Sequence, residues 1–189
     1  MWWTVAMSRV LYLLSCAAQP VQHLDRAVRL AQREGWEVCL GLTPTAAAWI
    51  AADLDGLVEL TGRPIRSAQR MLGETSPWPD PDVSVIAPAT LNTVNAIALG
   101  LTPNWATGHA VEVIGRRRPL VVMPCVNSEY ARHPQFDRSV DALRGAGVRV
   151  LLGGPDGFVP RPPGEGEPDR YPWSLALEAA GELAAGRPE

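Results

Sequence analysis

The chain has 189 residues, 47% of them hydrophobic, which suits one domain with a substantial core. Its net charge of −3 leaves no basic footprint for nucleic acid or an anionic membrane. It contains no lysine, which excludes a P-loop and any mechanism that carries its substrate on a lysine Schiff base.

Residues 1–7 read as an N-terminal extension and 8–189 as one domain. The first sixteen residues have the outline of a secretion signal, and Leu13-Leu14-Ser15-Cys16 resembles a lipoprotein cleavage box. No positive charge precedes Arg9, however, and the apolar run 10–14 is short for such a signal. Residues 9–14 are better explained as a buried parallel strand. The loop 15–21 follows, then a helix over 21–34 with Leu24, Val28 and Ala31 on one face, stopped by Gly35. A second strand over 37–42 leads through Thr43-Pro44 into a helix to about residue 52.

Residues 53–81 are less regular, with a short strand expected at 58–60. Pro77, Pro79 and Pro81 keep the approach to the next strand free of helix. That strand covers 83–87, and a helix over 91–101 follows. Arg116-Arg117-Arg118 reads as a solvated turn before a fourth strand at 119–123. A helix over 134–145, a fifth strand over 148–152 and a closing helix over 173–185 complete the pattern. Residues 153–170, rich in Gly and Pro, read as a long surface loop. Repeated strand–loop–helix units specify an α/β fold: a single flavodoxin- or Rossmann-like doubly wound domain with a parallel sheet. No apolar run approaches the roughly 20 residues that span a bilayer, and the expected location is cytoplasmic.

In such a sheet, ligands bind beyond the carboxyl ends of the strands. Four segments fall there: Ser15-Cys16-Ala17-Ala18, Thr43-Pro44-Thr45-Ala46, Pro88-Ala89-Thr90-Leu91-Asn92-Thr93 and Pro124-Cys125-Val126-Asn127. Each stands just before a helix. Free N–H groups there favour a phosphate, although Ser, Thr and Asn are also ordinary N-caps. There is no GxGxxG for a standard NAD site. Cys16, Cys39 and Cys125 are too scattered for a disulfide framework or a Cys-rich zinc site, and the three histidines lack metal-binding spacing, so no metal is expected.

Ala87-Pro88-Ala89-Thr90-Leu91-Asn92-Thr93, followed by Ala98-Leu99-Gly100-Leu101 and Asn104, resembles the PASANT motif of the homo-oligomeric flavin-containing cysteine decarboxylases. That family includes phosphopantothenoylcysteine decarboxylases and the decarboxylases of lantibiotic peptides. Pro124-Cys125-Val126-Asn127-Ser128-Glu129-Tyr130, then His133-Pro134, is similar to its PxMNxxMW motif. The resemblance covers roughly residues 8–155. It implies FMN as cofactor, held between subunits of a trimer or a dodecamer of trimers, and a small-molecule or peptide thiol as substrate. It places Ser15, Cys16, Ala17 and Ala18 in the first FMN loop and Thr43 and Thr45 in the second. Thr90, Asn92 and Thr93 fall in the PASANT loop, Cys125 beside the flavin, and Asn127 at the substrate carboxylate.

The sequence also departs from that pattern. Cys16-Ala17 replaces the usual Gly-Ser. Val126, Tyr130 and Ala131 replace Met, Met and Trp. The family's catalytic histidine, upstream of the PASANT proline, is missing, and Glu74 stands at about its place as a candidate base. No cysteine follows Cys125. Three functions are therefore open: oxidative decarboxylation of a thiol, diverged flavin chemistry such as flavin prenylation or another oxidation, or a catalytically inactive regulatory or scaffold homologue. His133 is expected to start a helix and His109 to lie at the surface or meet a neighbouring subunit. Trp49, Trp78 and Trp105 are expected to pack in a core or interface, with stacking on a flavin as the alternative.

Overall fold

The computed structural model describes residues 9–186, so the extension 1–7 lies outside the described residues. Five strands form one parallel sheet: β1 (Arg9–Ser15), β2 (Trp36–Leu42), β3 (Val83–Ala89), β4 (Leu120–Pro124) and β5 (Arg149–Val150). Their order is β2-β1-β3-β4-β5, the doubly wound arrangement whose switch in direction falls between β1 and β3. The apolar runs are buried on both faces, as a parallel sheet covered by helices requires. The stretch 10–14 that imitates a signal segment is the inside of β1, where Leu11 and Leu14 are fully buried.

Helices α1 (Leu24–Arg33), α2 (Pro44–Trp49), α3 (Leu54–Thr61), α4 (Leu91–Ala98), α5 (Trp105–Gly115), α6 (Ser128–Ala131), α7 (Pro134–Gly145) and α8 (Trp173–Ala185) connect and flank the strands. Two separate apolar cores result. One packs Leu24, Val28, Leu57 and Leu177 of α1, α3 and α8 against Leu11, Leu13 and Val85. The other packs Val94, Ala110, Phe136 and Val140 of α4, α5 and α7 against Leu14, Ile86 and Val122. Alternate side chains of each strand thus serve opposite layers.

Four expectations need correction. Residues 58–60 are not a strand: they lie inside α3, where Leu57 is buried and Val58 and Glu59 face solvent. Helix α5 was not expected. Its start is capped by Asn104, whose Oδ1 accepts from Ala106 N and Thr107 N at 3.1 Å each, while Thr107 Oγ1 accepts from Asn104 N. His109, on α5, is half-buried and hydrogen-bonded rather than free at the surface. Its Nε2 lies 2.9 Å from Ser84 Oγ, and its ring lies 5.2 Å from that of Tyr12. The fifth strand is shorter than expected, two residues paired to β4.

Trp105 closes the second layer. Its Nε1 donates to Leu42 O at 2.9 Å, and its ring lies against Gly41, where a Cβ would come within 2.5 Å of the indole. Trp78 meets it edge-on at 5.8 Å, and the Arg66 guanidinium lies 4.3 Å over the Trp105 ring. Trp78 and Trp105 are therefore packing residues.

Candidate functional site

The hydrogen-bond ladder runs past the strand ends and holds four loops together. Thr43 N donates to Ser15 O at 3.0 Å, Cys16 N to Pro88 O at 3.0 Å, and Cys125 N to Ala89 O at 2.8 Å. Beneath the surface, Ser15 Oγ donates to Ala87 O at 2.6 Å. Cys16 Sγ lies 3.2 Å from Thr93 Oγ1, which lies 3.1 Å from Thr90 Oγ1. These buried groups tie the loop after β1 to the first turn of α4. Above them opens a cavity of about 710 Å³.

Its floor is Ala17 and Ala18 after β1, Thr90 and Leu91 after β3, and Cys125, Val126 and Asn127 after β4. Thr90 caps α4, its Oγ1 accepting from Thr93 N at 3.4 Å. Asn127 caps α6, its Oδ1 accepting from Tyr130 N at 2.9 Å. That bond uses the amide oxygen and leaves both Nδ2 hydrogens for a ligand. Burial pushes the Cys125 thiol up to about 12 and the buried Cys16 thiol upward as well. Both are neutral near pH 7, which suits small packing groups rather than nucleophiles.

The far wall is the segment from Gly157 to Pro172. It is a strap tied down at several points. Phe158 bridges to Leu152, with Phe158 N donating to Leu151 O at 3.1 Å. Ser128 N donates to Arg161 O at 2.8 Å. Tyr171, fully buried in the layer below, donates its hydroxyl to Met123 O at 2.8 Å. At the rim, Trp49, Tyr130 and Val159 line the cavity and are more than half exposed. Among the described residues the only cationic side chains on the wall are Arg161 and Arg170, and the only acid is Glu167.

The sequence model of the Flavoprotein family matches residues 6–167. The chain belongs to the Flavoprotein family. No curated protein matches its sequence. Among solved structures, the FMN-dependent cysteine decarboxylase SpaF is 23% identical, with 93% of this chain and 98% of that chain covered and a TM-score of 0.69. A PPC decarboxylase is 19% identical over 95% of this chain and 99% of its own, with a TM-score of 0.68. AnUbiX (PadA1), solved with FMN and dimethylallyl pyrophosphate, is 17% identical over 75% and 76%, with a TM-score of 0.62. At these identities the likeness is one of fold, and that fold is flavodoxin-like.

Of the candidate catalytic and cofactor-binding residues in this Flavoprotein chain, five share the cavity wall: Ala17, Ala18, Thr90, Cys125 and Asn127. Ser15, Cys16 and Thr93 lie buried beneath it, with their side-chain groups engaged as above. Thr43 is a buried cap of α2, its Oγ1 accepting from Ala46 N at 3.4 Å. Thr45 and Asn92 are exposed and off the wall. Glu74 is exposed in a turn of its own, where its carboxylate accepts from Met71 N at 2.8 Å. His133 caps α7, its Nδ1 accepting from Gln135 N at 3.1 Å. Sequence reasoning missed Arg161 and Arg170, and it named Tyr130 only as a departure from the family motif. The strap was read as a plain surface loop, and its Gly-Pro composition was the one available signal.

Proposed function

We propose that this chain binds FMN in the cavity and is a flavin-dependent enzyme that oxidatively decarboxylates a small-molecule or peptide thiol bearing a carboxylate. The observation that carries the reading is that Thr90 and Leu91, from the loop after β3, meet Cys125 and Asn127 in one cavity at the β1/β3 switch. The residues present suit the cofactor. About 710 Å³ lies within the usual range for ligand sites. Ala17, Ala18 and Cys125 offer short, uncharged side chains on which a flat ring can lie. The first N–H groups of α4, beyond the one that Thr90 satisfies, favour a phosphate or an electron-rich ring edge.

When bound, FMN supplies the two-electron acceptance that oxidation of a thiol needs. This chain's residues do the rest. Asn127 donates its free Nδ2 hydrogens to the substrate carboxylate without adding charge, so the carboxylate is held yet free to leave as carbon dioxide. Phe158 and the strap form one wall of the cavity and keep water from that side. No histidine lines the wall among the described residues, and Glu74 stands off it. That observation favours, as a second reading, FMN binding with diverged chemistry. Assembly as a homo-oligomer, trimer or dodecamer of trimers, in the cytoplasm is part of the proposal. Among the described residues no helix is long and apolar enough to cross a membrane.

Purified protein should carry or take up FMN, read as flavin absorbance and quenched flavin fluorescence. A cysteine-terminated peptide should then bleach the flavin anaerobically, and Asn127→Ala should keep the flavin and lose the bleaching. Protein that takes up no FMN overturns the cofactor. Flavin uptake without bleaching by any thiol carboxylate selects the second reading.

A further inference from the structure

The cavity's charge is concentrated on one element. The chain has no lysine and a net charge of −3, yet the wall carries two arginines against one acid, and all three sit on the strap. Glu167 Oε2 alone serves both cations, at 2.8 Å from Arg161 Nη2 and 3.6 Å from Arg170 Nη1. Each guanidinium has five donors in a planar fork, so most of that capacity is left over. The neighbouring acid does not compete. Asp169 is turned the other way, 2.8 Å from His23 Nε2 and 3.6 Å from Arg26 Nη1.

The strap's backbone holds Arg161 beside the Asn127 end of the cavity, and Arg170 lines the same cavity. Arg161 O accepts from Ser128 N, so Arg161 is joined by one hydrogen bond to the residue after Asn127. Two anion receptors of different kinds therefore face one space: a neutral amide, suited to a carboxylate that must leave, and a pair of fixed cations, suited to an acid that stays. Glu167 occupies the place such an acid would take. Ion pairs as exposed as these are weak and exchange easily.

We propose that Arg161 and Arg170 form a binding subsite for an acidic side chain of the substrate, with Glu167 as the internal carboxylate that it displaces. This rests on the reading that the cavity takes a thiol carboxylate at Asn127. The substrate class is then an acidic peptide ending in cysteine.

The test uses the full chain and two peptides of equal length, Ala-Glu-Glu-Cys and Ala-Gln-Gln-Cys, titrated by calorimetry at low salt with and without added FMN. The acidic peptide should bind about tenfold tighter. The Arg161→Gln/Arg170→Gln variant should erase that difference and leave the neutral peptide unchanged, and Glu167→Gln should tighten the acidic peptide further. Equal affinities in the native protein, or no binding of either peptide, overturn the subsite. FMN and riboflavin are titrated in parallel. If the double arginine variant instead loses the preference for FMN over riboflavin, the arginines hold the cofactor's phosphate and the proposal fails. Failure of FMN to bind overturns the cofactor reading separately, and the flavin-free peptide titrations still decide the subsite.

Discussion

His109 is a largely buried base, and the charges that act on it are those of Arg66 and Arg116. Burial, and then the Arg66 and Arg116 charges, lower its pKa from 6.5 to about 4. In the unfolded chain it titrates near 6.5. Between these values the unfolded state holds a proton that the folded state lacks, so stability falls as pH drops through that window. From about pH 7 to about pH 5 the loss from this one group is about 2 kcal/mol. His109→Gln keeps a partner for Ser84 Oγ and removes the titration. Urea midpoints at the two pH values should therefore differ less in the variant than in the native protein. An unchanged difference would mean that the His109 proton is not the one linked to folding. The three thiols follow similar physics. Cys16, Cys39 and Cys125 are all shifted upward, mainly by burial, the last two to about 12. Iodoacetamide at about pH 8 should label none of them in the native protein within the time that labels all three in denaturant, where a free thiol titrates near 8.5.

At the scale of elements, the strap depends on Gly157. A Cβ there would lie 2.6 Å from Leu152 N and 2.8 Å from Gly153 O, and backbone cannot yield as a side chain end can. Gly157→Ala should break the Leu152–Phe158 bridge, cost about 1–3 kcal/mol and open the strap to trypsin after Arg170. Gly166→Ala is the control: its nearest contact would be Gln19 Oε1 at an ordinary 3.6 Å. The same segment shows why some of the molecule could be read in advance and some could not. Strands β1 to β4 announce themselves because burial on both faces demands continuous apolar runs. Helices α7 and α8 match their expected limits because Pro134 and the apolar spacing mark them. Helix α5 carries apolar residues around much of its circumference, so periodicity gave no signal, although its Asn104–Thr107 capping box was in plain view. Residues 58–60 look strand-like alone, and only Leu57 packing into the first core makes them helical. The cavity floor was readable because its loops are local motifs after strands. The strap was not, because its position comes from contacts with Leu152, Ser128 and Met123, and no local pattern encodes them.

For the whole molecule, the cavity joins residues from Ala17 to Pro172, so a ligand there touches parts of the chain that must all be folded at once. Its floor hangs from the ends of β1, β3 and β4, the centre of the sheet, and its far wall is tied back to β4 through the Tyr171 hydroxyl. Binding therefore reports on the global equilibrium rather than on one loop. A ligand at a hundred times its dissociation constant adds about 2.7 kcal/mol, and a domain of this size gains about 2–4 °C per kcal/mol. FMN at that excess should raise the Tm by about 5–10 °C in differential scanning fluorimetry read from tryptophan emission. Tyr171→Phe leaves Met123 O buried without its partner. It should lower the Tm of the flavin-free protein by a few degrees, corresponding to about 1–3 kcal/mol. FMN should raise the Tm of this variant by less than it raises that of the native protein, because the hydroxyl that ties the strap to β4 is gone. A Tm that ignores FMN in both proteins would mean that FMN does not bind the folded chain. A shift in the native protein that survives unchanged in Tyr171→Phe would show that the strap takes no part in holding it.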